Sequence, residues 1–149
     1  MLKVGSKIPH FRLLNQHGKP FDSHTLIGKK PCVIYFYPKN FTPGCTAQSC
    51  GFRDHYEDIK EQGVEVVGIS SDSVKRHKTF ASIFDLPFVL LSDPQQVVQK
   101  MFGIKTQFLG LLSQRITYVI NKEGVLVKVY ESQLVKGHIQ ATLKALKTL

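Results

Sequence analysis

A chain of 149 residues, 42% hydrophobic and 21% charged, has the makeup of a folded globular domain and not of a disordered or fibrous one. At this length about two thirds of the surface of the unfolded chain is buried on folding, so no disulfide or metal staple is required. The net charge of +9 raises nucleic acid as a partner. The basic residues are scattered, however (Lys29 and Lys30, then Lys75, Arg76 and Lys78, then Lys136, Lys144 and Lys147), and no stretch interleaves them with base-stacking aromatics, so a solvated basic surface is expected.

In chain order, the N-terminal MLKVGSKIPHF lacks the apolar stretch and small-residue cleavage site of a secretory leader. No later run approaches the roughly 20 apolar residues of a membrane helix. Both features predict a reducing, cytoplasmic location with no membrane partner. FRLL, the turn NQHGKP and FDS read as a small hairpin. CVIYFY at 32–37 is a continuous apolar run, the mark of a strand buried on both faces. A long helix is predicted from Pro43 to Gln62, closed by Gly63. VEVVGIS at 64–70 is a second buried strand, and SVKRHKTFASIFD a helix ended by the Leu86-Pro87 step. FVLLS, a helix across QQVVQKMF, the strand ITYVI, the turn NKEG, the strand VLVKVY and a C-terminal helix IQATLKALKTL complete the chain. Strands separated by helices imply crossovers, and the NKEG hairpin adds an antiparallel edge. The expectation is one α/β domain over residues 1–149, a mixed central sheet with helices on both faces.

The chemistry concentrates in PKNFTPGCTAQSC at 38–50, where two of the three cysteines stand. This stretch lies where the strand CVIYFY ends and the long helix begins, the end of an open α/β sheet at which sites form. Thr42 is placed to cap the helix and Pro43 suits its first position. Cys45 then falls on the third helical residue, where unpaired backbone N–H groups and the positive end of the helix dipole favour a thiolate. Gly44, without a side chain, leaves room for a small substrate. Cys32, at the head of an apolar run, reads as a small buried hydrophobe. His10, His17, His24, His77 and His138 read as surface or turn residues without a role.

Pro38, Thr42 and Cys45 form P-x-x-x-T-x-x-C, which resembles the active-site signature of the peroxiredoxins. TPGCTAQSC is similar to the bacterioferritin comigratory protein / peroxiredoxin Q subfamily, and GSKIPHFRLL, GKKPCVIYFYPK, GFRDHY, GVEVVGIS, LPFVLLSD and RITYVINKEG extend the resemblance over most of the chain. The resemblance implies a thioredoxin-like fold with an added N-terminal hairpin and a thiol-dependent peroxidase that needs no cofactor. It implies Cys45 as the peroxidatic cysteine and Cys50 as the resolving cysteine that closes an intramolecular disulfide. Thr42 would hold the peroxide, Pro38 would shield the pocket, and Arg115 would support the thiolate and polarise the substrate. It further implies hydrogen peroxide or an alkyl hydroperoxide as substrate, a thioredoxin-like reductant and a monomer, since both cysteines lie in one helix. His10 and Asn40 stand where Asp is usual in the family, and Ser113-Gln114 where Gly and an aliphatic residue are common.

Two other readings compete. Zinc held by Cys45, Cys50 and His55 lacks a fourth ligand and matches no common finger spacing, so no metal is expected. A general disulfide oxidoreductase uses C-x-x-C at the helix start, whereas this chain has C-x-x-x-x-C.

Overall fold

The computed structural model describes residues 2–107 and 112–149. A seven-stranded sheet runs in the order β2-β1-β5-β4-β3-β8-β9. Its strands are β1 (Arg12–Asn15), β2 (Pro20–Asp22), β3 (Cys32–Phe36), β4 (Glu65–Ser70), β5 (Val89–Ser92), β8 (Ile116–Ile120) and β9 (Leu126–Glu131). The central pairs β3·β4 and β4·β5 are parallel, and the outer pairs are antiparallel. The N-terminal hairpin thus extends the sheet along β5. A separate ribbon of β6 (Thr106–Gln107) and β7 (Leu112–Ser113) was not foreseen, because two-residue strands have no period to read.

The strand CVIYF is buried throughout, as a central strand covered on both faces must be. Alternation divides its side chains between two cores. Cys32, Ile34 and Phe36 join Phe11, Val98, Phe102 and Tyr118 on one face. Val33, Tyr35 and Tyr37 join Cys45, Phe52, Ile59, Phe80 and Leu146 on the other. The helices are α1 (Pro43–Asp54), α2 (Tyr56–Glu61), α3 (Val74–Ile83), α4 (Val97–Met101) and α5 (Val135–Leu146). Their core residues put α4 on the first face and α1, α2, α3 and α5 on the second.

The single helix expected over 43–62 is two. It breaks at His55 (φ −103°, ψ 4°), and the new start turns Tyr56 inward so that its hydroxyl donates to Glu65 Oε1 at 2.8 Å. Tertiary packing here overrides a local pattern that carries no stop signal. The helix after β4 ends at Ile83, before the Leu86-Pro87 step, and the C-terminal helix starts four residues before the expected Ile139.

Candidate active site

The site is built where β3 hands over to α1. The N–H of Tyr37 makes the last sheet bond, to Ile69 C=O at 3.1 Å, and Pro38 has no N–H with which to continue. The loop 38–42 is held by buried polar groups from the next crossover. Asn40 N–H donates to Asp72 Oδ2 at 2.8 Å, the Tyr37 hydroxyl donates to Asn40 Oδ1 at 2.6 Å, and Asn40 Nδ2 donates to His77 Nδ1 at 3.0 Å. Ser70 Oγ and Arg76 Nε both donate to the Asp72 carboxylate, at 2.8 and 3.0 Å. The Arg76 guanidinium also lies 5.3 Å from the centre of the Phe41 ring. These contacts hold Phe41 at φ 67°, a left-handed conformation costly for a residue with a bulky side chain. Burial pushes His77 down to about 4 against the pull of Asp72, so its imidazole is neutral at pH 7.

Thr42 occupies the N-cap of α1 with extended backbone, but its side chain caps no helical N–H. Its hydroxyl instead donates to Lys39 C=O at 2.8 Å, inside the loop that it closes. Cys45 is the third residue of α1 and only 1% exposed. Two N–H donors point at its sulfur, Lys39 N and Arg115 Nη2, each 3.5 Å from Sγ.

Arg115 precedes β8 and is 5% exposed. Its Nη1 donates to Gln48 Oε1 at 2.6 Å, and among the described residues no carboxylate pairs with it. An interior guanidinium without a carboxylate is costly, and beside Gln48 Oε1 the side-chain atom it reaches is Cys45 Sγ. Gly44 also serves the packing around Arg115. A Cβ on it would lie 2.9 Å from Arg115 Nη2 and 3.6 Å from Val135 Cγ2, so the missing side chain makes room for the guanidinium.

Gln48 was missed by sequence reasoning. It is fully buried, its Nε2 has no protein partner, and its spacing of three residues from Cys45 on one helix face was the available signal. His77 and His138 are also completely buried, contrary to the surface role expected of them. His138 Nδ1 lies 2.8 Å from Thr117 Oγ1 and its Nε2 2.6 Å from Ser132 C=O, which ties α5 to β8 and to the end of β9.

The structure therefore brings Thr42, Cys45 and Arg115 together, with half-buried Pro38 at the head of the same loop. Cys50 lies further along α1, half-buried, and all three cysteines are reduced. Cys32 is enclosed in the core, where burial pushes its thiol up to about 12. Cys45, Cys50 and His55 do not converge. Among the described residues the one grouping within metal-ligand reach is His10, Asp22 and His24, elsewhere on the molecule.

A family model for the AhpC/TSA family matches residues 4–129. The chain is 49% identical to a chloroplastic peroxiredoxin Q of Sedum lineare over 97% of its own length and 78% of that protein's. It is 46% identical to the chloroplastic peroxiredoxin Q of Populus jackii, covering 97% and 68%. Its structure superposes on the crystal structure of peroxidoxin BcpB from Mycobacterium tuberculosis with a TM-score of 0.93 at 34% identity, covering 100% and 99% of the two chains. These plant relatives are chloroplastic, which overturns the expectation of a cytoplasmic location. Composition and cysteine usage constrain the redox chemistry of a chain, not its address. With relatives of one kind aligned along almost its whole length and the same fold underneath, the chain belongs to the AhpC/TSA family and is a thiol-dependent peroxidase of the peroxiredoxin Q type.

Proposed function

We propose that Cys45 is the peroxidatic cysteine and Cys50 the resolving cysteine of this peroxidase, in one domain spanning residues 1–149. The thiolate of Cys45 attacks the terminal oxygen of a hydroperoxide. An S–O bond forms, the O–O bond breaks, and the alkoxide or hydroxide leaves as alcohol or water after taking a proton, so that Cys45 becomes a sulfenic acid. Arg115 Nη2 and Lys39 N–H, aimed at the sulfur, extend toward the oxygens on which negative charge develops. The Thr42 hydroxyl, whose proton is engaged by Lys39 C=O, keeps its lone pairs to accept the peroxide O–H. Pro38 closes the loop over the site without adding a backbone donor that would recruit water.

The Cys50 thiolate then attacks Cys45 Sγ, releasing water and closing the disulfide. A thioredoxin-like dithiol reduces it through a mixed disulfide. Resolution within one helix requires no second subunit, and a monomer suffices.

The observation that carries this reading is a buried guanidinium, without a carboxylate partner among the described residues, 3.5 Å from a buried cysteine sulfur. It also disfavours the general disulfide oxidoreductase. A cysteine 1% exposed admits a peroxide but cannot meet a disulfide on a folded protein. The test is peroxide consumption with a thioredoxin system. Wild type turns over, Cys45→Ser does not, and Cys50→Ser consumes one equivalent and stalls. Turnover by Cys45→Ser would remove Cys45 from the assignment.

A further inference from the structure

The side chains of His10, Asp22 and His24 meet on the outer edge of the sheet, outside the peroxidase site. Their position follows from the backbone. Ser23 N–H donates to Phe11 C=O and Phe11 N–H to Ser23 Oγ, both at 2.9 Å and both buried. This reciprocal pair locks residue 11 against residue 23, and the residues beside each, His10 and His24, are left facing one another. Their rings stack with centroids 3.7 Å apart and planes 12° from parallel. Asp22 is held as well. Its Oδ1 accepts from His24 N–H at 2.9 Å and lies 2.8 Å from His10 Nε2, while its Oδ2 accepts from Arg12 Nε at 2.9 Å. The backbone N–H of His24, then Arg12 and His10, hold this carboxyl well below the usual carboxylate range, so it is ionised whenever the histidines are neutral.

We propose that His10, Asp22 and His24 form a surface site for one divalent cation of borderline softness, the class that includes zinc. One ligand atom from each residue already lies within 4.8 Å of the others. Two imidazoles and a carboxylate are the donor set that selects zinc, nickel or copper over magnesium or calcium. The exposed face leaves the fourth position to water. Among the described residues no hydrogen bond reaches the His24 ring, so coordination through it breaks no hydrogen bond. Stacked rings direct their in-plane lone pairs in parallel, so the stack must open for both nitrogens to reach one ion. Two exposed side chains can rotate to do this at little cost. The Arg12 guanidinium on Oδ2 opposes a second cation, and its side chain is 73% exposed and free to swing away.

The test is a zinc titration of the Cys45→Ser/Cys50→Ser chain, in which the reactive thiols cannot compete for the ion, followed by calorimetry and by imidazole NMR. The expected result is one saturable site, with His10 and His24 nitrogen signals shifting together. His10→Ala and His24→Ala should each weaken binding at least tenfold, whereas Arg12→Ala should tighten it. In the wild-type chain His10→Ala should leave peroxide turnover unchanged, since the site lies outside the catalytic machinery. Absence of a saturable site, or zinc binding that leaves both imidazoles unshifted, would overturn the proposal, and the imidazole signals decide this even if a variant proves unstable.

Discussion

Cys45 and Cys50 lie on one unbroken helix, one buried and one half-buried, so the reduced structure holds apart the two sulfurs that the proposed disulfide would join. Five residues of α-helix separate two Cα atoms by roughly 8.5 Å, and a disulfide needs less than about 7 Å. Closing that disulfide would therefore require the start of α1 to unwind. The unwinding has a physical stop. Phe52 is completely buried with its ring 4.7 Å from that of Tyr35, and Ser49 shares a 2.9 Å hydrogen bond with the Tyr35 hydroxyl. Gly51 lets α1 approach α5 so closely that a Cβ would lie 3.0 Å from Ile139 Cγ1. Amide exchange should show Thr46 to Gln48 losing protection in the oxidised protein while Phe52 to Asp54 keep theirs. Equal protection in both states would exclude the unwinding.

Gly44→Ala should separate activity from stability. The added methyl falls 2.9 Å from Arg115 Nη2 and must displace the guanidinium from Cys45. The rate of Cys45 oxidation should drop at least tenfold and up to about a hundredfold, the lower end of what losing one preorganised donor costs. Stability should change little, since alanine favours a helix over glycine by about 1 kcal/mol. Stopped-flow oxidation and urea unfolding of the same sample measure both, and an unchanged rate would mean that the guanidinium tolerates the displacement.

Arg115→Lys keeps a charge but loses the planar fork that spans Gln48 and Cys45 at once. Cys45 oxidation should slow at least tenfold. Arg115→Met should abolish most of the rate yet leave the reduced protein as stable or more so, because it removes an interior charge that lacks a carboxylate. A strongly destabilised Arg115→Met protein of normal rate would assign the arginine to the fold instead of the reaction.

Much of this site was readable in the sequence because it is local. The β3 run, Pro43 at the first helical position and Cys45 at the third all follow from short-range rules. The rest depends on chain-distant contacts. Asn40 meets Asp72 and His77 across 32 and 37 residues, and Gln48 meets Arg115 across 67, separations that no periodicity encodes. A lone histidine reads as surface by default. His77 stands three residues before Phe80 on the buried face of α3, and that stripe was its one signal. The cap at Thr42 was legible as a position but not as a bond, since the hydroxyl chooses the Lys39 carbonyl.

Acid should loosen the protein in a defined window. His77 is held near 4 in the fold against 6.5 when unfolded, so between those values the unfolded chain binds more protons and stability falls as pH falls. His138 is shifted in the same direction, chiefly by burial, and adds to the loss. Urea midpoints should decline from about pH 6.5 to about pH 4 and less steeply in His77→Gln. A wild-type midpoint that stays flat across that range would show that neither imidazole is held neutral by the fold.

The most direct test of the central claim is mass spectrometry of the Cys50→Ser protein after one equivalent of hydrogen peroxide, with a sulfenic-acid trap present. The account predicts one equivalent consumed and the trap on Cys45 alone, with Cys32 unmodified and no label in the Cys45→Ser/Cys50→Ser control. Label on Cys32, or peroxide consumed at the same rate without Cys45, would contradict it.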